Sequence, residues 1–238
     1  MRTANKVPLG SRRQPEVTRA AILKAATAEF ARSGLEGART DEIARAAGVN
    51  KALLYYYFQD KEALYGAVLD QVFGGLREKV AAAMDAEPDP GRRLLAYAAA
   101  HFDYVASSPQ LPRVVLRELL RVSGKPESNR SHVRAGPPHI RRIVEQYMRP
   151  IYTRLAATLS AGIASGQLRP VDPQQAIPSV VGTIVFYFVG LPAVALLAPG
   201  DPLSPERLAE RRAAVLDFIA AALFRDPVRH AATQGGQP

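Results

Sequence analysis

Apolar residues recur along this chain at intervals of three and four, the period of helices with one face turned to a core. Ile22, Ala26 and Phe30 form one such row, so a first helix is expected over about 16–33. Ile43, Ala44 and Ala47 make the stripe of a second, short helix, and Leu54 with Phe58 gives a third its apolar face. The residues between these rows agree with the boundaries. Thr40 is placed to cap the second helix with its hydroxyl. Asp41 and Glu42 follow in the first turn, where the helix dipole favours negative charge. Gly48 suits the left-handed turn that leaves the helix. Asn50 is the next cap, and Asp60 caps a fourth helix that starts at Lys61. Two short helices joined by a turn at Gly48 make a helix-turn-helix unit.

The fourth helix is expected to run to about Met84, where Asp85–Gly91 breaks it. Further helices are expected near 91–107, 111–122, 138–165, 173–198 and 204–225, with a polar loop over 123–137. No useful length of chain alternates apolar and polar residues as a strand does. The expected architecture is all-α. A basic arm (1–14) precedes a helix-turn-helix domain (15–62), a larger helical domain follows (63–225), and the tail 226–238 is expected to be disordered.

Once Leu54 and Phe58 face inwards, the third helix leaves Lys51, Ala52, Leu53, Tyr55 and Tyr56 outside, with Tyr57 at the edge. Neighbouring residues on a helix point ~100° apart, so the three tyrosines cannot share one buried face. The N-terminal residues of a groove-reading helix meet base edges and its flanks meet the backbone. Lysine can donate to guanine, small apolar groups can touch a thymine methyl, and tyrosine hydroxyls are good phosphate donors.

The ordered combination of Ala21–Ala26, Phe30, Gly34, Thr40, Ile43-Ala44, Ala47-Gly48-Val49, Leu54-Tyr55, Phe58, Lys61-Glu62 and Leu64 resembles the tetracycline-repressor-type (TetR/AcrR) family of bacterial transcriptional regulators. The resemblance covers about residues 16–65. It implies that Thr40, Tyr55, Tyr57 and Lys61 bind phosphates, and that Lys51, Ala52, Leu53 and Tyr56 face bases. Tyr57 stands where the family most often has histidine, and Leu53 where polar residues are common. The resemblance also implies a homodimer that binds a pseudo-palindromic double-stranded DNA operator, most often as a repressor, and is released by a small-molecule effector.

Composition fits this picture. The net charge is +9, suited to a polyanionic partner. Residues 1–61 hold eleven Lys/Arg against six Asp/Glu, and residues 111–154 hold ten against three. The second excess is a solvated basic face, a site for an acidic ligand, or both. Without cysteine there is neither disulfide framework nor thiolate chemistry. The basic N-terminus lacks the apolar run of a signal peptide, so a cytoplasmic protein is expected.

Two other classes need weighing. Ala176–Leu197 is uncharged over its whole length and passes for a membrane span. Pro178, Gly182, Gly190 and Pro192 interrupt it, however, and a buried helix can be apolar all round. It is expected to be an interface helix with no membrane partner. An enzyme is not expected either. His101, His132, His139 and His230 do not pair at helical spacing, and no phosphate loop, nucleophile elbow or metal set is present. No cofactor is expected. A helical ligand carrier without a DNA role is the remaining alternative.

In the second domain, His101, Phe102, Tyr104, His139, Arg142, Tyr147, Tyr152, Phe186 and Tyr187 are candidate ligand groups, although each can equally be an ordinary core residue. Arg149-Pro150 inside a long helix should kink it, opening room for a ligand or simply fitting the bundle. Val180, Ile184, Leu191, Leu208, Val215, Leu216, Ile219 and Leu223 are candidates for the dimer interface.

Overall fold

The structure is a computed structural model that describes residues 14–108, 112, 114, 116 and 138–226. The basic arm, the loop at 123–137, most of the helix expected at 111–122 and the end of the tail lie outside these residues. The chain divides between Leu69 and Asp70 into two units.

The first unit holds α1 (Gln14–Gly37), α2 (Thr40–Ala46), α3 (Lys51–Phe58) and the start of α4 (Lys61–Asp85). Its core is built from the expected rows: Ile22, Ala26, Phe30, Ile43, Leu54, Phe58 and Leu64 are all buried. Phe30 meets Tyr65 edge to face at 4.9 Å. α1 is longer than its apolar row suggested, because Gly34 (φ 71°) breaks the helix and a further stretch continues beyond it. Buried Glu29 secures that bend by accepting from the Arg39 amide (3.3 Å) and pairing with Arg32. Burial would raise its carboxyl, but these hydrogen bonds outweigh it and hold the group below the usual range.

The second unit packs α5 (Pro90–Ala106) against α7 (Arg149–Ala164), α8 (Pro173–Val189) and α10 (Pro205–Leu223). α6 (Pro138–Ile143) precedes α7, and α9 (Leu191–Leu197) follows α8. Asp89, Asp172 and Ser204 cap α5, α8 and α10 by accepting from backbone amides. Phe102 and Phe188 meet in the core at 5.3 Å. Asp103 on α5 receives two hydrogen bonds from Arg212 on α10, at 2.8 and 3.0 Å. Among the described residues the only β pairing is the isolated bridge Leu168–Phe224.

Two expected helices are each broken. The segment at 173–198 bends by 70° at Gly190, and among the described residues no single helix is long and apolar enough to cross a membrane. The segment at 138–165 contains a wide, π-helical turn at Val144–Met148 immediately before Arg149-Pro150. Pro150 has no amide to offer the carbonyl four residues back. That carbonyl, on Gln146, instead accepts from Arg77 of α4 at 3.3 Å.

Candidate nucleic-acid interface and ligand cavity

The helix-turn-helix is fixed from both sides of its turn. Gly48 takes the left-handed conformation (φ 70°), which glycine adopts without steric cost. The amides of Gly48 and Val49 return to the carbonyls of Arg45 and Ala44. Asn50 caps α3 by accepting from the Leu53 amide at 2.8 Å, and Asp60 caps α4 through Ala63 at 2.7 Å. Thr40 behaves differently from expectation. It is the first residue of α2 and not its cap; Arg39 holds the cap position without a side-chain hydrogen bond. The buried Thr40 hydroxyl lies 3.2 Å from the Tyr55 hydroxyl, tying α2 to α3.

None of the three adjacent tyrosines is buried. Tyr56 is 80% exposed, and Tyr57 is half-buried between Tyr56 and Phe58. Ala52 and Leu53 are exposed at the start of α3. Both lysines already have partners. Lys51 pairs with Asp41 at 3.0 Å, and Lys61 donates to the carbonyls of Glu36 (3.1 Å) and Ala38 (3.4 Å) at the end of α1.

The second unit contains a cavity of about 520 Å³ between α4, α5, α7 and α8, within the size range of small-molecule sites. His101, Tyr104 and Tyr152 line it, as do Tyr97, Phe73, Met148 and Arg149, which were not among the expected ligand groups. The Tyr97 hydroxyl lies 2.9 Å from His101 Nδ1. Burial in apolar surroundings pushes the His101 imidazole down to about 4 and raises the Tyr97 hydroxyl. Both are therefore neutral at physiological pH. Tyr104 donates to the Val72 carbonyl at 2.7 Å.

The remaining expected ligand groups lie elsewhere. Phe102 is core, packed on Phe188. Phe186 is 74% exposed, because it sits on the outer side of α8. Tyr187 donates to the Pro202 carbonyl at 2.7 Å beneath Arg211. Tyr147 and Arg142 both turn to Asp70, at 3.3 and 3.0 Å. The side chain of His139 lies outside the described residues.

The residues expected at a dimer interface are also redistributed. Val180, Ile184, Leu191, Val215, Leu216, Ile219 and Leu223 are buried in the protomer's own core, and Leu208 packs against it half-buried. The same two helices instead expose Phe186 and Phe218, the latter 61% exposed. Periodicity marked an apolar face correctly but could not say which neighbour covers it.

Two family models match the chain. "Bacterial regulatory proteins, tetR family" covers residues 22–68, and "Tetracyclin repressor-like, C-terminal domain" covers 90–219, more than half of the chain. The chain belongs to the TetR family. As a TetR-family protein it is a helix-turn-helix transcriptional regulator with an N-terminal DNA-binding unit and a C-terminal helical unit. It is 41% identical over 110 residues to the HTH-type transcriptional repressor SCO4008 of Streptomyces coelicolor, covering 44% of this chain and 52% of that one. It is 30% identical over 164 residues to the HTH-type transcriptional regulator RutR of Escherichia coli, covering 66% of this chain and 67% of RutR. The chain thus spans about half the length of SCO4008. Among solved structures, the transcriptional regulator SCO4942 of Streptomyces coelicolor superposes with a TM-score of 0.63 at 27% identity, covering 88% of this chain and 99% of that one. Of the cavity residues missed from this TetR-family sequence, Tyr97 had a usable signal, since it stands four residues before His101 on one helix face. Phe73 and Met148 had none, being indistinguishable from core.

Proposed function

We infer that this regulator acts in the cytoplasm as a homodimer that binds a pseudo-palindromic operator and releases it when a small molecule enters the second unit. The observation that carries this reading is the α3 surface: Leu54 and Phe58 anchor the helix, while Lys51, Ala52, Leu53 and Tyr56 are exposed along its outer side. Thr40, Tyr55, Tyr57 and Lys61 flank that surface as phosphate contacts. Binding requires Lys51 and Lys61 to exchange their present partners for DNA. Exposed ion pairs contribute only ~0.2–1 kcal/mol, so releasing Asp41 costs Lys51 little, while Lys61 exchanges two carbonyl acceptors for phosphate oxygens.

The dimer is proposed to form through the outer faces of α8 and α10, where Phe186 and Phe218 are exposed. Two recognition helices about 34 Å apart would then read successive turns of one groove. Repression is the expected mode. Footprinting on the DNA beside the coding region tests the reading. It should reveal two protected half-sites, with affinity falling steeply as salt rises. Weak binding that ignores both sequence and salt would sink it.

A further inference from the structure

Carbon walls the cavity almost throughout, with Val72 and Leu76 from α4, Val105 from α5, Leu155 from α7 and Val181 from α8. Three of the polar side chains inside are already engaged with one another or with backbone, and Tyr152 adds one further hydroxyl. Tyr97 and His101 are bonded together, and Tyr104 is committed to the Val72 carbonyl. Neither pair offers a charge.

Arg149 is the exception. It is the only charged side chain among the described lining residues, and no carboxylate lines the cavity with it. Neighbouring arginines are occupied: Arg142 on Asp70, Arg77 on the Gln146 carbonyl and Arg154 on Asp85. Arg149 has no ion-pair partner among the described residues. Arg149 is exposed at the edge of the cavity, and a guanidinium without an ion-pair partner among the described residues, set beside an apolar chamber, matches a ligand with one anionic end and a hydrocarbon body. The guanidinium fork also suits a carboxylate geometrically.

The volume bounds the ligand's size. At ~30 Å³ for each water displaced, 520 Å³ corresponds to about 17 water volumes. An unbranched acid of on the order of 12–17 non-hydrogen atoms is the right scale.

We propose that the effector is an elongated apolar monocarboxylate whose hydrocarbon body fills the cavity and whose carboxylate pairs with Arg149. The proposal rests on the regulator reading above for its consequence, but its binding step can be measured alone. Isothermal titration of the full chain with sodium dodecanoate and with dodecyltrimethylammonium, both below micelle formation, tests the charge preference. Dodecanoate should bind about tenfold or more tightly than the cation, and Arg149→Gln should weaken it about five- to tenfold. Affinity should rise roughly fourfold per methylene from octanoate to dodecanoate. Val181→Trp, which narrows the chamber, should weaken binding while leaving the far-UV circular dichroism unchanged.

Equal affinity for anion and cation, an unaltered dodecanoate affinity in Arg149→Gln, or undiminished binding in folded Val181→Trp overturns the proposal. A gel shift with operator DNA separates the two readings. Failure of the unliganded chain to bind DNA sinks the regulator reading and leaves the calorimetry standing. Operator complexes that survive saturating dodecanoate overturn its assignment as an effector class.

Discussion

Lowering the pH should destabilise this protein through one residue, His101. It is buried beside Tyr97, and desolvation holds its imidazole at about 4, against an ordinary value of 6.5. The folded state therefore keeps His101 neutral through a range in which the unfolded chain protonates it. Between those two values the unfolded chain binds more protons, so stability falls as pH falls. The contribution is fully present above the unfolded value and drains away down to about pH 4, where the folded form also protonates. With ~1.4 kcal/mol per pKa unit, the loss from about pH 7.5 to about pH 5 is about 2 kcal/mol, rising to about 3 kcal/mol near pH 4. Urea unfolding followed by circular dichroism at a series of pH values measures it. His101→Phe should cost about 1–3 kcal/mol near pH 7.5, because it leaves the buried Tyr97 hydroxyl without its partner, and the difference from wild type should shrink as pH falls. What it should remove is the slope. If the variant loses as much stability as the wild type between about pH 7.5 and pH 5, the assignment to His101 is wrong.

Four further outcomes are expected. Lys61→Ala should weaken binding to operator and random DNA alike and lower the salt slope by about one. Tyr56→Ala should cost about 1–3 kcal/mol more on the operator than on random DNA in the same gel-shift titration, and equal losses would make Tyr56 a phosphate contact. Gly162→Ala should lower the melting temperature although alanine favours helix, because a Cβ there would sit 2.6 Å from Leu168 Cδ1; overpacking of this kind costs about 1–3 kcal/mol, and a rise in melting temperature would refute the packing argument. Phe186→Asp combined with Phe218→Asp should convert the proposed dimer to a monomer in sedimentation velocity, whereas an unchanged dimer would move the partner surface elsewhere on the chain.

The first unit was far more legible than the second. Short helices must announce their ends, and Gly48, Asn50 and Asp60 do so through conformations and caps that few other residues provide. Thr40 was misread because the same hydroxyl that can cap a helix can also bond Tyr55, a residue fifteen positions away. In the second unit the helices are long and apolar, and periodicity reveals a buried face without naming what buries it. Val180 and Ile219 were assigned to a partner subunit when their own protomer already covers them. Phe186 was assigned inwards and points out. Arg149-Pro150 did signal an irregular helix, but the wide turn ahead of it and the Arg77 hydrogen bond depend on a neighbouring helix that no local pattern displays.

That wide turn also acts as a phase correction. Ile143, Tyr147 and Leu155 are buried and Ile151 is half-buried, a row repeating every fourth residue. In a regular α-helix such a row wanders by ~40° at each step. The π-helical turn at Val144–Met148 winds the chain back and keeps the row straight. It also makes this the cheapest place for the chain to change length. A π-helical turn holds one residue more than the α-helix it interrupts, so deleting Val144 would restore α-winding while leaving the residues on either side in nearly their present phase. A single-codon deletion should therefore leave the fold and operator binding intact and alter the cavity only where Val144 and Met148 line it. Loss of the far-UV circular dichroism signal would show instead that the turn serves folding. Within such a lineage, one residue can be gained or lost at this turn without re-phasing the helices on either side of it.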